Sequence, residues 1–230
     1  MFLPLAGVLL LIIAGCDPFG PTYTHLDVES QRLLAGATVE KVFYNFGKGR
    51  TLGINGGFTV GSGKDSQLLS GLPARIGDTT IAGGQVIETR FNTSIYDGSL
   101  RWRHFFAGPV GYEVGTGIAF TRLNFAAAST TAEGNETKTS PAIELMLGAV
   151  VRINKRIQFE ANTTGFETNK NIYDVTLNRL QMTYKIGSHF QAAGGWTWLN
   201  ASATSTGGSS YSTTDSGPSV GIRFVFDKIR

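Results

Sequence analysis

The feature that most constrains this chain is an alternation of apolar and polar residues with a period of two. It is clearest over 142–153. Ile143, Leu145, Leu147, Ala149 and Val151 fall on one face of an extended strand, and Ala142, Glu144, Met146, Gly148 and Arg152 on the other. A polar Asn154-Lys155 turn follows. Ile157, Phe159 and Ala161 then alternate with Gln158, Glu160 and Asn162, which makes a hairpin. The same alternation sets Leu100 and Trp102 against Arg101 and Arg103, and Tyr112, Val114 and Ile118 against Glu113, Gly115 and Gly117. It recurs with Leu180, Met182 and Tyr184 against Arg179, Gln181 and Thr183, and with Val220, Ile222 and Phe224 against Ser219, Gly221 and Arg223. Almost no stretch beyond residue 16 sustains the 3.6-residue period of a helix, so the expected fold class is all-β.

Connection lengths add a direction to this sheet. Short turns fall at 47–50, 107–109, 154–155 and 187–189, and longer polar links at 61–85, 127–140, 167–172 and 205–216. The polar face carries small residues and isolated charges of both signs, which suits a narrow interior. Aromatic residues gather near strand ends: Tyr44, Phe46, Trp102, Phe106, Tyr112, Tyr184, Phe190 and Phe224. Such rings favour the level of lipid headgroups. With short turns at one end, long links at the other and runs of the length that crosses a bilayer, 30–226 resembles the small outer-membrane β-barrels of Gram-negative bacteria. The resemblance implies an up-and-down antiparallel transmembrane β-barrel. Its apolar rows face lipid and its charges face the lumen, because a sheet within hydrocarbon must close to satisfy its amides. Eight strands are expected between 51 and 226. A poorly patterned ninth candidate at 33–46, paired with a further strand before it, gives ten as the alternative. The lumen charge network then comprises Arg101, Arg103, Glu113, Glu144, Arg152, Glu160, Arg179 and Arg223. In this family the final strand usually ends on an aromatic residue read by the barrel-assembly machinery. Phe226 takes that part here, although four residues follow it.

The start of the chain differs in kind. From Phe2 to Gly15 there is no charge, and 9–14 is wholly aliphatic. That length matches a signal-peptide core and is too short for a spanning helix. Ile13-Ala14-Gly15-Cys16 resembles the bacterial lipoprotein box, which implies that Cys16 is lipidated after cleavage. The expected organisation is therefore a signal at 1–15, a tether at 16–32 and a barrel domain at 33–230.

These readings lead to an outer-membrane protein, structural or surface-exposed, monomeric, with a lumen filled by side chains and no catalysis. Its partners are membrane lipids and the assembly machinery. Two alternatives stand beside it. One is a lipid-anchored soluble barrel that binds a ligand in an apolar interior lined by Trp102, Trp196 and Trp198. The other is an outer-membrane lipid-modifying enzyme, for which His25, His104 and His189 are the only histidines and none has a nearby Ser–Glu arrangement. The net charge of +3 is scattered without a basic stripe, so no nucleic-acid partner is expected. Neither a metal-ligand spacing nor a cofactor motif is present: the glycine runs GINGG and VGTGI do not open helices.

Overall fold

The computed structural model describes residues 26–31, 34–47, 49–69, 71–168, 173–187 and 189–227. Cys16 and the signal segment lie outside them. The described chain is all-β, with twelve strands rather than the expected eight or ten. They are β1 (Leu26–Gln31), β2 (Leu34–Gly47), β3 (Arg50–Leu68), β4 (Ala74–Ile76), β5 (Thr79–Ile81), β6 (Val86–Phe105), β7 (Val110–Ala128), β8 (Glu133–Arg152), β9 (Ile157–Thr168), β10 (Tyr173–Lys185), β11 (Phe190–Thr204) and β12 (Ser210–Asp227).

Ten of these strands form one sheet in which chain neighbours pair antiparallel from β2 to β12, with the β4–β5 hairpin set aside. The sheet rings round. The second edge of β12 pairs with β2, and this pairing is parallel. β1 lies along the same edge, also parallel, and Leu26↔Tyr211 and Leu34↔Ser219 share one register. β1 and β2 are thus successive parts of one stave, and part of the segment expected to be a tether belongs to the sheet. Nine staves in a meander leave the first and last running the same way, and they therefore pair parallel.

Two other expectations are corrected. Segments at 127–140 and 205–216 are not long loops. β7 runs to Ala128, β8 starts at Glu133, and a compact turn at 205–209 joins β11 to β12. The poor pattern of 33–46 comes from an irregularity in the β2–β3 register between Val42 and Tyr44. Such a bulge switches which side chains face in. Glu40 is buried, whereas Tyr44 and Phe46 beyond it are exposed.

The wall inverts along its length. Call the end with the turns at 47–50, 105–110, 152–157 and 185–190 the near end. In the near half the outward rows are apolar: Ile54, Phe58, Leu100, Val114, Ile118, Ile143, Leu145, Leu147, Leu180, Met182, Val220 and Ile222 are exposed. Their alternating neighbours Asn55, Ser99, Arg101, Glu113, Glu144, Glu160, Thr183 and Arg223 are buried. In the far half the pattern reverses. Ile87, Phe91, Ile95, Leu123, Phe125, Leu177, Leu199 and Tyr211 form a buried apolar cluster. Arg90, Asn92, Arg122, Asn135, Thr137, Asn200 and Thr214 face out. The β4–β5 hairpin adds Ala74, Ile76 and Ile81 to that cluster. It is held by hydrogen bonds from the Arg75 amide to Ser209 Oγ (2.7 Å) and from the Gly77 amide to Ser205 Oγ (3.1 Å). Gly77 makes the hairpin turn at φ 56°, in the left-handed region that favours glycine.

Candidate functional site

The near-half interior is an ionic network assembled from six staves. Its centre is Glu160 of β9, which accepts from Arg223 of β12 in a two-pronged pair, Nη1–Oε1 2.6 Å and Nη2–Oε2 2.7 Å. Arg223 Nε also lies 3.7 Å from Glu40 Oε2 of β2. Arg103 of β6 donates through Nε to Glu113 Oε2 of β7 at 2.7 Å. Its Nη2 also bonds Glu113, and it approaches Glu40 (3.7 Å) and Glu160 (3.9 Å). Arg101 bridges Glu113 (3.4 Å) and Glu144 of β8 (3.7 Å). Gln158 donates to Glu160 as well. Charges survive away from bulk water only when paired and hydrogen-bonded, and this network meets that condition for most of its members.

Of the eight expected lumen charges, Arg101, Arg103, Glu113, Glu144, Glu160, Arg179 and Arg223 are brought inside. Arg152 is not. It has the inward parity but is the last residue of its strand, exposed, with its guanidinium 4.0 Å above the centre of the Phe105 ring. Phe226 lies in β12, where its backbone pairs with Lys41 of β2. Sequence reasoning missed Glu40, hidden by the bulge, and Asp97, whose Oδ2 accepts from Asn55 Nδ2 at 3.5 Å. The inward row Asp97, Ser99, Arg101 and Arg103 of β6 was the signal that could have found Asp97.

The outer surface of the same half carries aromatic clusters at its near edge. Phe46 lies 4.7 Å from Tyr44 and 5.2 Å from Trp102, ring centre to ring centre. Tyr112 packs against His104 and Phe106 (5.4 and 5.8 Å), and Phe190 against Phe224 (4.7 Å). A second aromatic row, Phe58, Tyr96 and Phe120, follows directly paired positions of β3, β6 and β7 where the apolar rows give way to polar ones. Trp196 and Trp198 face outward, both partly exposed. His104, half-buried, packs against the rings of Phe106 (5.5 Å) and Tyr112 (5.4 Å).

In the far half two ionic groups hold the outer structure. Glu136 of β8 accepts from the Thr206 amide at 3.1 Å and pairs with Lys138 at 3.4 Å, while Lys138 donates to the Thr204 carbonyl. Partial burial raises the Glu136 pKa, but the bonds from Ser205 and Thr206 and the charge of Lys138 outweigh it and hold the group below the ordinary glutamate value. On the surface, hydrogen bonds from Lys64 and Arg90 lower the Glu88 pKa. Among the described residues no cluster of His, Cys, Asp and Glu is arranged to hold a metal ion.

No protein family, curated protein or solved structure matches this chain.

Proposed function

We propose that this chain is a bacterial outer-membrane β-barrel protein with a surface-exposed extension, a lumen filled by its own side chains and no catalysis. The observation that carries the reading is the coincidence, on the same strand segments, of an exposed aliphatic belt outside and a paired ionic network inside. In water that arrangement is unfavourable on both faces. In a bilayer the belt replaces lipid–water contact, and the charges stay among their partners. The belt is nine residues deep on β6, from Tyr96 to His104, and the ~9–11 residues of a tilted strand span a bilayer. β6 itself has 20 residues. At ~3.3 Å each, tilted by ~45°, it rises about 45 Å against ~30 Å of hydrocarbon. The surplus is the far half, whose polar exterior and apolar centre suit water.

The way the sheet rings round supports the same reading. Directly paired residues lead from Lys41 through Ile54, Leu100, Thr116, Leu145, Gly165, Thr176, Asn200 and Thr214 to Glu29. The path returns to the first stave twelve residues from its start (41 − 29). An even stagger keeps inward rows inward across the seam. Twelve over nine staves corresponds to a tilt of about 40–45°, the range of outer-membrane barrels. Lipidation at Cys16 and recognition of Phe226 by the assembly machinery belong to this proposal. The soluble ligand-binding alternative required Trp102, Trp196 and Trp198 to line the interior, and the outward position of Trp196 and Trp198 speaks against it.

The test is heat-modifiable gel migration of the protein refolded in detergent, together with reconstitution into vesicles. A compact band before boiling that shifts after it, and co-flotation with vesicles, are expected. A detergent-free monomer that ignores vesicles would overturn the reading.

A further inference from the structure

Arg179 of β10 is the one arginine of the near-half interior that has no carboxylate within ion-pairing distance among the described residues. Its hydrogen-bond partner among the described residues is neutral: Nη2 donates to Thr59 Oγ1 at 2.6 Å. It borders a cavity of about 50 Å³ beneath the β2–β12 seam, room for roughly four water-sized spheres. Three arginines line this cavity, Arg101, Arg179 and Arg223, and no Asp or Glu does. The carboxylates that pair Arg101 and Arg223, namely Glu40, Glu113, Glu144 and Glu160, are not among the residues that line it. Three further lining groups, Asn162 Oδ1, Thr197 Oγ1 and Ser219 Oγ, are buried and lack a hydrogen-bond partner.

We propose that this cavity is a binding site for a small inorganic oxyanion of phosphate or sulfate type. An interior cation that no carboxylate touches, with Asp97 and Glu144 acting on it only from farther away, is costly, and a polar atom sealed from water costs about 1–3 kcal/mol if unpaired. One occupant answers the arginine and the two hydroxyls, and Asn162 Oδ1 is left to a water. An oxyanion accepts from the Arg179 fork, whose planar geometry matches two oxygens. The hydroxyls of Thr197 and Ser219 donate to the remaining oxygens. Water satisfies the hydroxyls but leaves the charge. The site stands on the interior alone and holds whether or not the outer belt meets a bilayer.

The experiment uses the full chain refolded in a zwitterionic detergent, in a buffer whose anion is too bulky for the cavity. Sodium phosphate is added, with sodium chloride at matched ionic strength as the control, and the thermal unfolding midpoint is read. Phosphate is expected to raise the midpoint saturably, as a ligand of the folded state does, and chloride to leave it unchanged. Arg179→Met is expected to unfold at a higher midpoint than wild type without phosphate and to show no rise with it. A second variant, Thr197→Val with Ser219→Ala, keeps the arginine and is expected to need at least tenfold more phosphate. Crystals grown with selenate should show an anomalous peak in hydrogen-bonding range of Arg179. An equal response to chloride, a phosphate response retained by Arg179→Met, or only water in the cavity would overturn the proposal.

Discussion

Single side chains in this wall carry unequal weight, and the Glu160–Arg223 pair carries the most. Both groups are nearly sealed from solvent, and Glu160 also faces Arg103. Glu160→Gln leaves cations without their counter-charge and is expected to destabilise by about 3–5 kcal/mol. Glu160→Gln with Arg223→Met removes both partners and should recover most of that loss. Urea unfolding of the refolded protein measures both. A second sensitive position is Gly63 of β3, directly paired with Phe91 of β6. The Phe91 ring lies across the glycine so closely that an added Cβ would sit 1.9 Å from its Cε1. Gly63→Ala must displace that ring from the far-half core, at a cost of about 1–3 kcal/mol in the same unfolding assay.

At the scale of the strand, the inversion predicts a depth profile. On β8, Leu145 belongs to the belt and Thr137 to the polar extension, and both face out. Leu145→Arg is expected to cost about 2–4 kcal/mol in vesicles, and Thr137→Arg less than about 1 kcal/mol. Equal costs would mean that the belt does not meet hydrocarbon. The β11–β12 turn makes a pH prediction. The folded pKa of Glu136 is lowered, so its contribution is fully present above the ordinary carboxylate value of about 4.3 and is lost as pH falls through the lower folded value. The Thr206 amide signal in NMR should move in that acidic window, and Glu136→Gln should abolish the movement. The near half was legible in the sequence because charged residues such as Arg101, Glu113 and Glu160 alternate with large aliphatic ones, which leaves two distinct faces. The far half was not. There Ser, Thr and Ala occupy both faces, as at 126–128 and 201–204, and composition alone makes such strands look like loops. In β2 the bulge after Val42 broke the period that revealed the other strands. Arg152 had the right parity, but alternation carries no information about how near a residue stands to the mouth.

For the molecule as a whole, the proposed outer-membrane reading combines with the stacking of a charged interior on an apolar one to predict a lumen closed to ions. Ions that enter among the arginines and glutamates meet the sealed cluster of Phe91, Phe125, Leu123, Leu199 and Tyr211. Phe125 and Tyr211 are stacked there with ring centres 4.2 Å apart. The protein reconstituted in a planar bilayer is expected to show no channel events, and regular conductance steps would contradict the packed core. An odd number of staves has one more outcome. Of the described residues, the first in the sheet, Leu26, lies beside Tyr211 at the far rim, and the last, Asp227, lies on the near side. On the proposed outer-membrane reading, with the far half outside the cell, an epitope placed before Leu26 and another placed after Asp227 are displayed to opposite compartments, so antibody applied to intact cells should reach the first and not the second.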